Sequence, residues 1–267
     1  MRETDLEIIT AAIIDAPGIP FFSFNHDIIM TFLPHRHLLL PLFLLMITTT
    51  PLKIKERPLL TPITGSVGLR KAISAWCSDK AAAEAEFGPI TDWDTVRVKD
   101  MSNLVSTHCA TTSTFNADLS SWDVSNVEDM HRMFRSASAF NSDISRWDVS
   151  SVENMNGMFD HAVSFAQDIS SWNMTSVQDL GWMFCGATSF NIDVSAWNIT
   201  SARSMSFMFY GATSFSQSLC WDLSHVTFKH QMFEDSGGGS VRDEENCERE
   251  QHMEQQQQCR PLDLDRS

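Results

Sequence analysis

The sequence predicts an α/β repeat solenoid, with one short strand and one short helix in each 25-residue coil and an α-helical cap ahead of the first coil. Three observations carry this. Phe115, Phe140, Phe165, Phe190 and Phe215 recur at a fixed step of 25 residues. Trp122, Trp147, Trp172 and Trp197 keep the same step, and Trp221 follows one residue early. The pairs Met133-Phe134, Met158-Phe159, Met183-Phe184, Met208-Phe209 and Met232-Phe233 repeat in register with both.

Composition sets the outer limits. A chain of 267 residues with 43% hydrophobic content is globular and holds one large or two small domains. The balance of 19 Lys+Arg against 34 Asp+Glu gives a net charge of −15. That excess argues against phosphate-bound nucleic acid and against anionic lipid. Eight Trp and 18 Phe beside a single Tyr are the usage expected of one motif copied many times.

Residues 1–68 share nothing with the array. Within them LLLPLFLLMI (38–47) is ten apolar residues, too short for a bilayer core of about 30 Å. Starting at Met30, MTFLPHRH, LLLPLFLLMI and TTTPLK lay out as the basic, apolar and cleavage regions of a secretory signal peptide over residues 30–50. The alternative is a membrane-associated or buried hydrophobic hairpin. Residues 69–92 follow as a helical cap. Leu69, Ile73 and Trp76 share a face, Ser78 is placed to cap a second helical stretch over 79–87, and Gly88-Pro89 ends it.

The array covers 93–233. A degenerate first copy carries Trp93, Val98 and Met101 and is followed by an insertion in 106–114. In each copy Val127, Met130, Phe134 and Ala137, or their equivalents, are spaced 3, 4 and 3, one face of a short helix. Ser125, Ser150 and Thr175 stand three residues before Glu128, Glu153 and Gln178, a capping-box spacing. The other half, as in Trp147-Asp148-Val149, alternates as a short extended segment. Beyond Phe233 the chain is expected to be a disordered acidic, Gln-rich tail over 234–267. It holds ten acidic and four basic residues and almost no aliphatics, too little apolar surface to offset ordering.

The stretch FNSDISRWDVSSVENMNGMFDHA (140–162) and its neighbours closely resemble the BspA-like, or DUF285, surface-protein repeat, which is related to leucine-rich repeats. LRKAISAWCSDKAAAEAEFGPITDWD (69–94) is similar to the cap that precedes such arrays. The resemblance spans about residues 69–233 and implies a leucine-rich-repeat-like solenoid in a secreted or cell-surface interaction protein, sometimes an adhesin. It implies no catalytic residues. The last copy departs from the pattern, having lost a residue near Cys220-Trp221 and carrying Lys229 where other copies have Met or Leu.

The chemistry-bearing residues are few. Six Cys show no CxxC and no Cys/His cluster at zinc spacing, so neither metal nor cofactor is expected. Cys77 can reach Cys109 in the inserted loop, or both stay thiols, and Cys247 and Cys259 are expected free or paired with each other. Asn173-Met174-Thr175 and Asn198-Ile199-Thr200 are N-glycosylation sequons at equivalent positions of consecutive coils. The column Asp118, Asp143, Asp168, Asp193 supplies one carboxylate per coil, whereas calcium needs six to eight converging oxygens, so a solvated hydrogen-bonding edge is the better reading. His131 and His161 occupy variable positions and read as surface residues. No P-loop, HExxH, nucleophile elbow or dinucleotide fingerprint is present, and the Ser, Asp and Trp that could look catalytic recur at the repeat period.

The function expected is therefore non-enzymatic: adhesion to, or binding of, a protein or glycan by a secreted or surface-displayed solenoid. An intracellular interaction scaffold is the second reading and a carbohydrate-active enzyme the third. Neither nucleic acid nor a membrane span remaining after signal removal is expected among its partners. Binding should fall on variable columns, because the repeated positions are committed to the core. One such column runs Arg132, Gly157, Trp182, Phe207, and another Arg135, Asp160, Cys185, Tyr210. Trp182, Phe207 and Tyr210 are thus the candidate partner-binding residues.

Overall fold

The computed structural model describes residues 60–242 and Cys247. The expected signal peptide lies outside the described residues. Among the described residues no helix is long and apolar enough to cross a membrane.

The cap comprises helix α1 (Gly65–Ser78) and helix α2 (Lys80–Phe87). It starts at Gly65 rather than at 69. Leu69, Ala72 and Ile73 form the buried face of α1, and half-buried Trp76 meets Phe115 edge-on at 5.6 Å. The cap of α2 is Asp79, not Ser78: its carboxylate accepts from the Ala82 N–H at 3.1 Å. The backbone explains this: Ser78 is still the last helical residue of α1, whereas Asp79 takes the extended conformation, φ −148° and ψ 97°, that an N-cap requires. Gly88, at φ 83°, ends α2 as expected. The cap is fastened to the first repeat unit by Arg70, which donates to Ser102 O at 2.6 Å and pairs with Asp100 at 2.8 Å. Ser66 Oγ accepts from the Asp100 N–H at 3.0 Å. A Cys77–Cys109 disulfide ties α1 to the inserted loop. That loop holds helix α3 (Leu104–His108) and a 3-10 turn over Thr112–Thr114.

From Trp93 onward the chain forms repeat units laid one against the next. Single-residue parallel bridges link Asp100, Asp129, Asn154, Asp179, Ser204 and Phe228 in succession. Inside, Phe134, Phe159, Phe184 and Phe209 lie 5.5–5.8 Å apart down one column, each stacked at 3.9 Å on the second Phe of its own unit. All of these rings are fully buried. The Trp column closes the core on another side. The indole N–H groups of Trp147, Trp172 and Trp197 each donate to a main-chain carbonyl of the preceding unit, Trp147 to Leu119 O at 3.1 Å and Trp172 to Ile144 O at 3.2 Å.

The elements inside each unit differ from those the sequence suggests. The segment from Val127 to Ala137 is a chain of turns, not a helix. Arg132 (φ 52°) and Ser136 (φ 62°) are left-handed, and so are their equivalents in every later unit. A left-handed residue every four positions cannot sustain a helical ladder. Instead, the N–H groups of Met130, Arg132, Phe134 and Ser136 donate at 2.7–2.9 Å to the carbonyls of Asn154, Asn156, Met158 and Asp160 in the next unit. The 3-4-3 apolar spacing survives because tight turns, such as Met133 N to Met130 O at 3.2 Å, turn the same residues inward. The capping boxes are absent for the same reason. Ser125 uses its N–H and hydroxyl to close a turn on Asp123 Oδ1, at 3.0 and 2.6 Å, while the Glu128 N–H donates to Lys99 O in the preceding unit. The Trp-x-Val half keeps its alternation, with Trp147 and Val149 buried and Asp148 exposed, but it forms no strand and lies between two tight turns.

At the far end, strand β1 (Ser218–Leu219) pairs in parallel with strand β2 (Ser240–Val241). The ordered chain therefore runs past the boundary expected at 234. The glycine triplet is packing rather than linker: a Cβ on Gly239 would stand 2.6 Å from Phe215 and 2.8 Å from Phe233. A Cys220–Cys247 disulfide holds the chain beyond β2, so Cys247 neither is free nor pairs with Cys259. In this last unit the N–H groups of Lys229, Gln231, Phe233 and Asp235, counterparts of the forward-pointing donors, have no partner among the described residues.

Candidate functional site

Two constellations leave the repeated pattern, and both sit on the turn-rich side. The first is aromatic. Trp182 and Phe207 occupy the left-handed column, at φ 60° and 59°, a conformation that bulky side chains rarely adopt. Their rings stack at 4.2 Å with 23° between planes. Tyr210 meets Phe207 edge-on at 5.9 Å, and His230 meets it at 5.5 Å. Trp182 is 40% exposed, whereas the column Trp residues are almost wholly buried. The structure thus brings all three sequence-selected aromatics into one ledge, with His230 as a fourth member. The column before Trp182 is Gly157, which presents no side chain beside the indole. The negative charge of Asp235 beside Tyr210 raises the phenol above its ordinary range.

The second constellation joins Asp160, His161 and Cys185. One donor atom from each lies within 4.8 Å of the others. Asp160 and Cys185 are buried and His161 is exposed. The Asp160 carboxylate accepts from Arg135 Nε on Oδ2 at 2.9 Å and faces His161 Nδ1 from Oδ1 at 2.5 Å. The imidazole lies over Gly186, where a Cβ would come within 3.1 Å of the ring. Cys185 is the free cysteine among the described residues, and burial, then the neighbouring Asp160, push its thiol up to about 12. Local spacing missed this group, because its members are neighbours through stacking. The signal was present in the column reading: Asp160 and Cys185 stand 25 residues apart, one repeat.

A polar recess of about 290 Å³ lies nearer the cap, lined by Asn103, Ser106, Thr107, Thr112, Arg132 and Arg135 among others. The acidic column resolves into turns. Asp118, Asp143 and Asp168 each accept from the backbone N–H and hydroxyl of the Ser two residues on, and these bonds hold their carboxyls below the ordinary range. Asn173 and Asn198 are exposed, and each accepts on Oδ1 from its sequon Thr, leaving Nδ2 outside that turn.

A family model described as "Mycoplasma protein of unknown function, DUF285" matches residues 73–181 and 151–241, which together cover more than half of the chain. No curated protein and no solved structure matches it.

Proposed function

The chain belongs to the DUF285 family of BspA-like surface-protein repeats, and from that premise we propose that it is a non-enzymatic, secreted or cell-surface solenoid that binds a protein or glycan through the Trp182–Phe207–Tyr210 ledge. The observation that carries this is the face-to-face Trp182–Phe207 pair, with Trp182 exposed and Phe207 half-buried beside it. Left-handed backbone costs a non-glycine residue on the order of 1 kcal/mol, so two large aromatics in that column are a local expense with no return in the core. Stacked exposed rings are the residue type that anchors both protein and sugar-ring contacts. Two disulfides among the described residues suit an oxidising compartment and support the secreted reading.

The test is a glycan array and a surface-protein binding screen, run with the full chain and with the double variant Trp182→Ala, Phe207→Ala. The proposal expects a wild-type ligand whose binding is lost in the variant while the urea unfolding midpoint stays nearly unchanged. A collapsed midpoint would assign both rings to packing, and retained binding would place the ligand elsewhere. N-linked glycan on Asn173 or Asn198 of the native protein, read by mass spectrometry, bears separately on secretion.

A further inference from the structure

We infer that Asp160, His161 and Cys185 form a binding site for a divalent transition-metal ion of the zinc type, clipping two successive repeat units together. Three features converge. The donor set is the one such ions select: a thiol, an imidazole and a carboxylate, rather than the all-oxygen set of calcium or magnesium. The atoms already lie within 4.8 Å of one another, and a tetrahedral ion with bonds of about 2.0–2.3 Å needs its ligands roughly 3.5 Å apart. Side-chain rotations that part the 2.5 Å Asp160–His161 contact and draw the Cys185 sulfur inward give that spacing. The surroundings are also prepared. Arg135 holds Asp160 by Oδ2 at 2.9 Å and leaves Oδ1 towards the imidazole, the role that an orienting partner plays behind a metal ligand. Gly186 clears the space that the His161 ring occupies.

The site is particular to these units. The same two columns carry Arg135 and Ser136 before it, and Tyr210 and Gly211 after it. The repeat itself does not explain why an Asp-His pair should stand directly against the next unit's cysteine. Nor does disulfide chemistry use Cys185, which stays a buried thiol while Cys77, Cys109, Cys220 and Cys247 are paired. On binding, a sulfur–metal bond forms, the thiol proton leaves to solvent, and no electron is transferred. Exposed His161 places the fourth coordination position where water can fill it.

The experiment titrates the full-length chain with Co²⁺ and then with Zn²⁺. A thiolate-to-cobalt charge-transfer band with tetrahedral visible bands is expected, saturating at an equimolar ratio and displaced by Zn²⁺. Zn²⁺ should also raise the thermal midpoint, because it binds the folded chain across two units. Cys185→Ser should abolish the band, His161→Gln should remove most of the affinity, and Arg135→Ala should weaken binding by about tenfold. Cys259→Ser should leave the band intact. The exposed position of His161 makes its variant a folded control should Cys185→Ser lose stability, as read from metal-free unfolding midpoints. Absence of the band in the wild type, or its survival in Cys185→Ser, would overturn the proposal.

Discussion

Removing Trp147 measures how far the tryptophan column holds the units together. Its side chain is 4% exposed, its ring packs 6.3 Å from Phe134, and its indole N–H reaches back to Leu119 O of the preceding unit at 3.1 Å. A buried Trp removes about 150–250 Å² from water. At about 25 cal/mol per Å², and allowing for the methyl that Ala retains, Trp147→Ala should cost about 3–5 kcal/mol. Trp147→Phe separates the two contributions, since it keeps most of the apolar contact and loses the hydrogen bond. Leu119 O also accepts from the Trp122 N–H at 3.1 Å, so the carbonyl is not orphaned and the lost bond is worth about 1 kcal/mol. Trp221 provides the contrast, because its buried indole N–H has no partner, so Trp221→Phe should be close to neutral. Urea titration of the four proteins followed by far-UV circular dichroism gives the differences. Near-wild-type stability of Trp147→Ala, or equal losses in the Ala and Phe variants, would refute the packing argument.

Two further outcomes are expected. The hydrogen bonds from Ser120, Ser145 and Ser170 favour the charged carboxyls of Asp118, Asp143 and Asp168, so their contribution is present above the unfolded carboxylate value of about 3.9 and is lost as pH falls through the lowered folded values. Asn at all three positions keeps the Oδ1 acceptor but removes the titration; the urea midpoint of that triple variant should therefore fall less steeply with acidification than that of the wild type. Replacing Cys77 and Cys109 together by Ala should cost about 3–4 kcal/mol, for the 32-residue separation that the bridge closes, in a chemical unfolding titration.

The inward positions were legible because they answer to one number. Phe140, Trp147, Val152 and Phe159 recur at a 25-residue step that shortens by one in the last copy, and their counterparts are buried except for half-buried Phe233. The local elements were not, because periodicity of 3 and 4 reports which residues face inward and is silent about where their peptide groups bond. Left-handed backbone at Arg132, Trp182, Phe207 and Gln231 has no compositional mark, glycine filling that column only at Gly157. The aromatic ledge could be read from the columns, since Trp182 and Phe207 are one repeat apart. The Asp160–His161–Cys185 group and the Cys220–Cys247 bridge were hidden from any scan for short motifs, because stacking and the return of the chain through β2 create them.

The forward-pointing N–H groups give the array a polarity, as in a directional polymer. Along the turn-rich segment each unit offers donors towards its successor and carbonyls towards its predecessor, while the N–H groups of Glu128, Glu153 and Gln178 run the opposite way, so the two faces of a unit are chemically distinct. Among the described residues the final unit keeps the N–H groups of Lys229, Gln231, Phe233 and Asp235 unpaired, so two such edges would meet donor to donor. The carbonyl end is stoppered differently, by Arg70 on Ser102 O and by the disulfide that pins α1. Middle units, each with both faces satisfied by its neighbours, are thus interchangeable in a way that the first and last are not: duplicating or deleting one in the middle leaves both termini chemically unchanged.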